Sequence, residues 1–352
     1  MDNSTIIMMM WTAIIVVLIF DFTNGFHDAS NITGSIIASR AMTPIQAAFL
    51  TGIFHFIGPM LGGTAVADTI GKFVSIKDLN ANMSLMILLC GIFGSIFWNL
   101  FTWWFGLPSS SSHALVGGIA GAVLFAAGAD HVMWGWEALV TKGKLTGVMK
   151  VLLSLFVSPI LGFWLAWIFQ KIARRLVANA KPRVDKFFKW SQWGSAAALS
   201  FSHGTNDAQK SMGIIALALL LGGEIDKFHI PFWVILTCAI FITAGNSMGG
   251  WRIVRTVGFG IFRVRPIHSF NAQLTAAAVI FGAANMGAPV STTHVASSSI
   301  MGVGTAEQPK AVKWRKGKEI FATWVLTIPG SGLVGGLTYL LADMITHVSG
   351  VR

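Results

Sequence analysis

Apolar runs of membrane-spanning length recur along the whole of this chain, and no other feature restricts its fold as strongly. Residues 6–20 and 83–105 are two of them. About 20 such residues cross a bilayer as one helix. Only 11% of the 352 residues are charged, against roughly 25% in a soluble domain. A backbone inside lipid must satisfy its own hydrogen bonds. The expectation is therefore an all-α polytopic membrane protein. The first run is not read as a cleaved signal peptide, because Asp2 is its only nearby charge and no basic segment precedes it. Cys90 and Cys238, the two cysteines, both fall in apolar runs and are read as small core residues. They offer neither a disulfide framework nor a zinc pattern.

The formal charge of +11 is concentrated in three connectors. Lys171, Arg174, Arg175, Lys181, Arg183, Lys186 and Lys189 crowd the first, Arg252, Arg255, Arg263 and Arg265 the second, and Lys310, Lys313, Arg315, Lys316 and Lys318 the third. On a soluble protein such clusters would point to nucleic acid. Between apolar runs they mark cytoplasmic loops, and no nucleic-acid partner is expected. With these loops inside, the second half crosses at about 191–222, 231–250, 268–287, 290–305 and 319–343. The first half crosses at about 6–38, 45–65, 83–105, 113–128 and 146–170, with Lys142 and Lys144 on the wrong side. Both termini then lie outside. The expected organisation is an N-terminal transmembrane repeat over 1–170, a basic cytoplasmic connector over 171–190 and a C-terminal transmembrane repeat over 191–352. The expected location is the plasma membrane.

Two motifs occur twice. Residues 24–34 read NGFHDASNITG and 203–213 read HGTNDAQKSMG, so that Asp28 and Asp207 align 179 residues apart. Residues 107–121 read LPSSSSHALVGGIAG and 288–302 read APVSTTHVASSSIMG, so that His113 and His294 align 181 residues apart. Five crossings per half is an odd number, so the shared motifs face opposite sides of the membrane. Two inverted-topology repeats with broken or re-entrant helices at the midplane follow, an architecture common among secondary transporters.

The repeated residues carry the polar chemistry. A carboxylate inside a bilayer is costly and is usually paired or functional. Asp28 and Asp207 are candidates for handling a cation or proton, with a structural Asp207–Lys210 pair as the alternative for the second. Asp21 stands open between a structural and a functional role. Asn24, Asn31 and Asn206 flank the two motifs, and their amide oxygens suit a cation. Pro108 and Pro289 suit a helix start. The hydroxyls of Ser109, Ser110, Ser111, Ser112, Ser291, Thr292 and Thr293 then join free N–H groups at a positive dipole end. Two converging helix starts of this kind make a site for a small tetrahedral oxyanion. His27, His113 and His294 are open between a structural hydrogen bond and a proton-linked role. A Ser–His nucleophile is disfavoured, because neighbouring helical residues point apart and a protease has no use for a duplication. Gln209, Lys210 and Gln273 are read as supporting groups.

At these residues the chain resembles the inorganic phosphate transporter (PiT) family, over nearly its whole length and in the same order. NGFHDASN and SFSHGTNDAQKSMGI resemble its signature segments, and GLPSSSSHALVGG and GAPVSTTHVASSS its Pro–Ser/Thr–His segments. The resemblance implies a multi-pass symporter of inorganic phosphate driven by protons or sodium, without a bound cofactor, and a homodimer. His27–Asp28 replaces the Asn–Asp of many sodium-coupled members. This form resembles the bacterial low-affinity Pit branch, which implies proton coupling and transport of neutral metal–phosphate complexes. The alternatives are a sodium-coupled phosphate symporter, a sulfate permease of the same fold, an anion channel and an intramembrane serine hydrolase.

Overall fold

In a computed structural model, residues 3–74, 76, 79–181 and 183–348 are described. Thirteen α-helices follow one another: α1 (Asn3–Ala38), α2 (Pro44–Leu61), α3 (Ala65–Ile70), α4 (Ala81–Trp104), α5 (Ser111–Ala127), α6 (Trp136–Lys142), α7 (Gly147–Leu176), α8 (Val184–Leu221), α9 (Phe232–Met248), α10 (Trp251–Val254), α11 (Pro266–Asn285), α12 (Thr292–Glu307) and α13 (Trp314–Val348). A π-helical segment, Arg255–Gly260, continues α10. The described residues contain one isolated β-bridge, Val74 to Val132, and no longer strand. The fold is all-α, as the sequence predicts.

Each of the ten expected crossings contains a helix, but not all are full spans. Five helices, α1, α2, α4, α7 and α13, are long and apolar enough to cross a membrane. A sixth span arises if α9 and the helical stretch bent 63° from it count together. Helices α5 and α12 have 17 and 16 residues. At 1.5 Å per residue they reach about 25 Å, short of the ~30 Å hydrocarbon layer. The crossings expected at 113–128 and 290–305 are therefore short, mostly buried helices. Helices α8 and α11 lose apolarity to His203, Asp207, Lys210 and Gln273. The expected connector 171–190 is largely helical, since α7 runs to Leu176 and α8 starts at Val184. Its Pro182 lies outside the described residues, as do Lys77 and Asp78 of the α3–α4 loop and the terminal residues 1–2 and 349–352.

Helices of one half pack on helices of the other in matching fashion. Helix α1 lies against α9 and α8 against α2, while α5 lies against α13 and α12 against α7. Two aligned glycines make the first pair of crossings possible. A Cβ on Gly25 would stand 2.1 Å from the Ile242 carbonyl oxygen, and one on Gly204 2.3 Å from that of His55. No side chain fits there, so the repeated Gly in each Asp motif sets how closely α1 and α8 approach their partners. Large apolar side chains such as Phe93, Trp164 and Leu341 remain about half exposed. Such surface suits lipid and not water.

The two helix hairpins, α4–α5 and α11–α12, carry the Pro–Ser/Thr–His segments at their tips. Ser110 caps α5, its hydroxyl accepting from the His113 N–H at 3.2 Å. Ser291 caps α12 in the same way, accepting from the His294 N–H at 3.3 Å. Ser111, Ser112, Thr292 and Thr293 hold the first two positions of these helices, where N–H groups have no acceptor within the helix.

Candidate functional site

The two tips meet. The Ser112 hydroxyl donates to the Val290 carbonyl at 3.1 Å, and the rings of His113 and His294 lie 4.5 Å apart between centroids. Helices α1 and α8 bring their aspartates to the same place, and all four segments are buried there.

Asp28 is held by groups without a fixed charge. His27 Nδ1 lies 2.7 Å from Asp28 Oδ1, the Thr293 hydroxyl donates to Oδ1 at 3.0 Å, and the Thr292 hydroxyl lies 3.3 Å from Oδ2. Asn31 donates from Nδ2 to Thr293 Oγ1 at 2.9 Å. The far nitrogen of His27 reaches the Ser109 hydroxyl at 3.2 Å, and Ser109 is bonded to Thr102 at 2.7 Å. His27 thus ties the first hydroxyl run to the first carboxylate.

Asp207 has a cation. Lys210, one turn on, forms a buried ion pair with its Oδ1. The same ammonium donates to Ser112 Oγ at 2.5 Å and to the Val290 carbonyl at 3.0 Å. All three of its protons have acceptors, and it stitches α8 to both hairpin tips. The structural pair weighed from sequence exists, and it also lies inside the site. His203 Nδ1 lies 3.3 Å from Asp207 Oδ2 and 3.0 Å from His55 Nε2. The Thr292 hydroxyl is 3.0 Å from Asp207 Oδ2. That hydroxyl has one proton and stands between two carboxylates.

Asp28, His203 and Asp207 place ligand atoms within 4.8 Å of one another, a spacing that one cation could bridge. Asn24, Asp28 and Asn31 share one face of α1 by their spacing. The side-chain oxygens of Asn24, Asn31 and Asn206 are buried and have no hydrogen-bond partner among the described residues. Among the described residues the Asn206 side chain makes one long contact, from Nδ2 to the Ala288 carbonyl at 3.5 Å. Ser111 is the one hydroxyl of the seven without a partner among the described residues.

Other expected residues stand apart from this centre. Gln209 Oε1 accepts from the Val66 N–H at 2.7 Å, while its Nε2 donates to the Gly62 carbonyl at 3.3 Å. It holds the start of α3. Gln273 donates to Ser35 and Ser269 and accepts from Ser195, joining α1, α8 and α11. His113 and His294 make no hydrogen bond to a carbonyl among the described residues. His113 Nδ1 bonds Ser110 Oγ at 2.7 Å, so a Ser–His pair does form, at a spacing of three and not between neighbours. Its ring meets Phe156 and His294, and His294 stacks on Trp324 at 3.9 Å. These rings border an apolar cavity.

Sequence reasoning missed His55 and Thr102. Each stands in an apolar helix with no repeated motif around it. Asp21, left open from sequence, is completely buried and accepts from the Ser211 hydroxyl at 2.8 Å. Its other oxygen has no partner among the described residues.

A buried charged cluster between two helices and two opposed helix starts, inside an apolar helical shell, is an arrangement that suits a multi-pass membrane transporter. The comparison with known proteins makes this specific. The pattern of the phosphate transporter family matches residues 24–184 and 177–335. The chain is 40% identical over 343 residues to a probable low-affinity inorganic phosphate transporter of Bacillus subtilis (strain 168), covering 96% of this chain and 99% of that one. It is 39% identical to one of the same description from Rhizobium meliloti (strain 1021), covering 94% and 96%. It therefore belongs to the phosphate transporter family. A solved structure titled the sodium-dependent phosphate transporter shares the fold, with a TM-score of 0.83 at 24% identity over 96% of this chain and all of that one.

Proposed function

We propose that the chain is a secondary active symporter that imports inorganic phosphate across the plasma membrane, coupled to protons, with both termini outside. The observation that carries this reading is the Thr292 hydroxyl standing between Asp28 and Asp207, with Lys210 closing the second carboxylate. The two helix starts supply N–H groups and hydroxyls, led by Ser111, for the anion's acceptor oxygens. The carboxylates accept the proton of a hydrogen phosphate. Sulfate has no such proton at neutral pH and meets only repulsion, which favours phosphate.

Under this reading, charge balance requires a cation to accompany the anion. By formal charge, Asp28, Asp207 and Lys210 together leave a single negative charge. A phosphate dianion entering alone would raise this to three. Two protons entering with it, or one divalent metal ion, leave the charge of the site as it began. A neutral cargo is therefore what this cluster accommodates at least electrostatic cost. The divalent ion, where it travels, is cargo that Asp28, His203 and Asp207 can ligate.

The test is labelled phosphate uptake into proteoliposomes under an imposed proton gradient, a sodium gradient or neither, with and without magnesium. Accumulation that requires the proton gradient is the expected result. Accumulation that requires only sodium assigns the carboxylates to that ion and overturns proton coupling. Uptake that neither saturates nor accumulates means a channel, and competition by excess sulfate means a sulfate permease.

A further inference from the structure

We propose a second anion site, separate from the transport centre, in which Arg252 and Arg255 bind the phosphate of an anionic phospholipid. A cavity of about 480 Å³ is lined by Trp104, Phe105, Gly106, Arg252, Arg255 and Thr256. Its lining contains two guanidinium groups and no carboxylate. Neither arginine has an ion pair among the described residues. Arg265 of the same basic stretch is occupied, being paired with Glu307 at 2.6 Å. Arg252 is fixed in place without a countercharge. Its Nη1 donates to the Trp104 carbonyl at 2.9 Å, and its guanidinium carbon lies 5.0 Å and 4.7 Å from the ring centroids of Trp103 and Trp104. A guanidinium held on aromatic faces keeps its remaining N–H groups for a bidentate oxyanion partner.

The rim identifies the source of that oxyanion. Trp104 and Phe105 are each more than half exposed. An inorganic anion has no use for two exposed aromatic side chains, whereas a lipid places its glycerol and upper acyl carbons against them. Tryptophan beside arginine is the composition of a membrane interface, and basic pockets between helices on the cytoplasmic side recognise phospholipid head groups. The topology expected from charge places 251–266 on that side.

The site touches the transport machinery. Thr256 Oγ1 donates to the Gly106 carbonyl at 3.0 Å, and Gly106, at φ +66°, turns the chain three residues before Ser109. The π-helical segment also lies on α1, where a Cβ on Gly258 would stand 2.5 Å from the Gly34 carbonyl oxygen. A head group seated here braces the α4–α5 tip and the helix that carries Asp28.

The test uses the full-length protein in detergent micelles. Brominated phosphatidylglycerol or brominated phosphatidylcholine is titrated in, and quenching of tryptophan fluorescence is read. Tighter binding of phosphatidylglycerol is expected. R252Q/R255Q should weaken it by roughly twenty-five-fold, about fivefold per arginine, and leave phosphatidylcholine unchanged. R255Q alone spares the Arg252–Trp104 contacts and should weaken it about fivefold, which keeps the test valid if the double variant fails to fold. Displacement of phosphatidylglycerol by millimolar inorganic phosphate would mean a site for the free anion and overturn the lipid assignment. Equal binding of both lipids, or binding indifferent to both variants, would overturn the site.

Discussion

Asp28 and Asp207 occupy aligned positions of one repeated motif, yet they are held differently. Asp28 is surrounded by His27 and two threonine hydroxyls borrowed from the other half. Asp207 is paired with Lys210, and His203 lies beside it. The duplicated features of the chain are the mechanical ones: the glycine crossings of α1 and α8 and the serine caps of α5 and α12. The carboxylate is duplicated but the cation is not, because the residue that aligns with Lys210 is Asn31. One half therefore holds its charge fixed, and the other presents a carboxylate that no fixed cation holds. Under the proposed function, Asp207 organises the site and Asp28 changes charge during the cycle.

Removing Lys210 tests this contrast most severely. Lys210→Ala strands a buried carboxylate and removes three hydrogen bonds, at a cost of about 3–5 kcal/mol. It is expected to lower the thermal melting point in detergent by many degrees and to abolish uptake. The Asp207→Asn/Lys210→Gln pair, with no charge left to strand, should recover most of the stability and none of the transport. A Lys210→Ala protein that melts like the wild type would end the claim that the second half is charge-locked.

Asp28→Asn should act on function alone. The amide keeps the size of the carboxylate and has neighbours that can accept or donate, so the protein is expected to fold with near-normal stability. Gradient-driven accumulation should be lost, while exchange of labelled for unlabelled phosphate across equilibrated vesicles continues. Asp207→Asn should lose both, because it also releases Lys210 from its place. If the two variants match in accumulation and in exchange, the halves are equivalent and the asymmetry has no functional meaning.

Much of this contrast was readable beforehand, and the unreadable part has a common cause. The helices, the hairpin tips and the aligned aspartates follow from apolar run length, from proline and serine at helix starts and from a pattern repeated at one spacing. The wiring between them does not. Thr292 and Asp28 are 264 residues apart, and nothing local to either announces the other. Gln209 and Gln273 drew attention as amides in apolar helices, but an amide that fastens helices gives the same signal as one that meets a ligand. The short α5 and α12 pass for full crossings because the basic loops on either side demand a crossing in each half, although 16 residues at 113–128 and 290–305 fall short of a bilayer. His55 carried no signal, since one histidine in an apolar helix is usually packing.

The hydroxyl runs sharpen the comparison at smaller scale. Ser110 and Ser291 are caps, so Ser291→Ala should cost about 1 kcal/mol of stability with modest change in uptake. Ser111 has no partner to lose among the described residues. Ser111→Ala is expected to keep the melting point and raise the KM for phosphate roughly tenfold, the loss of one hydrogen bond to a charged ligand. A lower melting point with an unchanged KM would place Ser111 in the scaffold and move the anion to the α12 tip.

Gln273→Leu should change transport least. Its amide joins Ser35, Ser195 and Ser269, and none of its partners touches either aspartate. Leucine fills a similar volume but leaves three buried hydroxyls short of a partner, and one lost buried hydrogen bond costs about 1–3 kcal/mol. The melting point should therefore fall while KM and ion dependence stay within about twofold of wild type. Helix α1 gives this result its meaning, because Ser35 and Asp28 lie seven residues apart, close to one face of that helix. A KM shift without a stability loss would show that α1 transmits small displacements along its length to the carboxylate. In that case the amide belongs to the moving part of the molecule, and the charge-varying half extends well beyond the hydroxyls that touch Asp28.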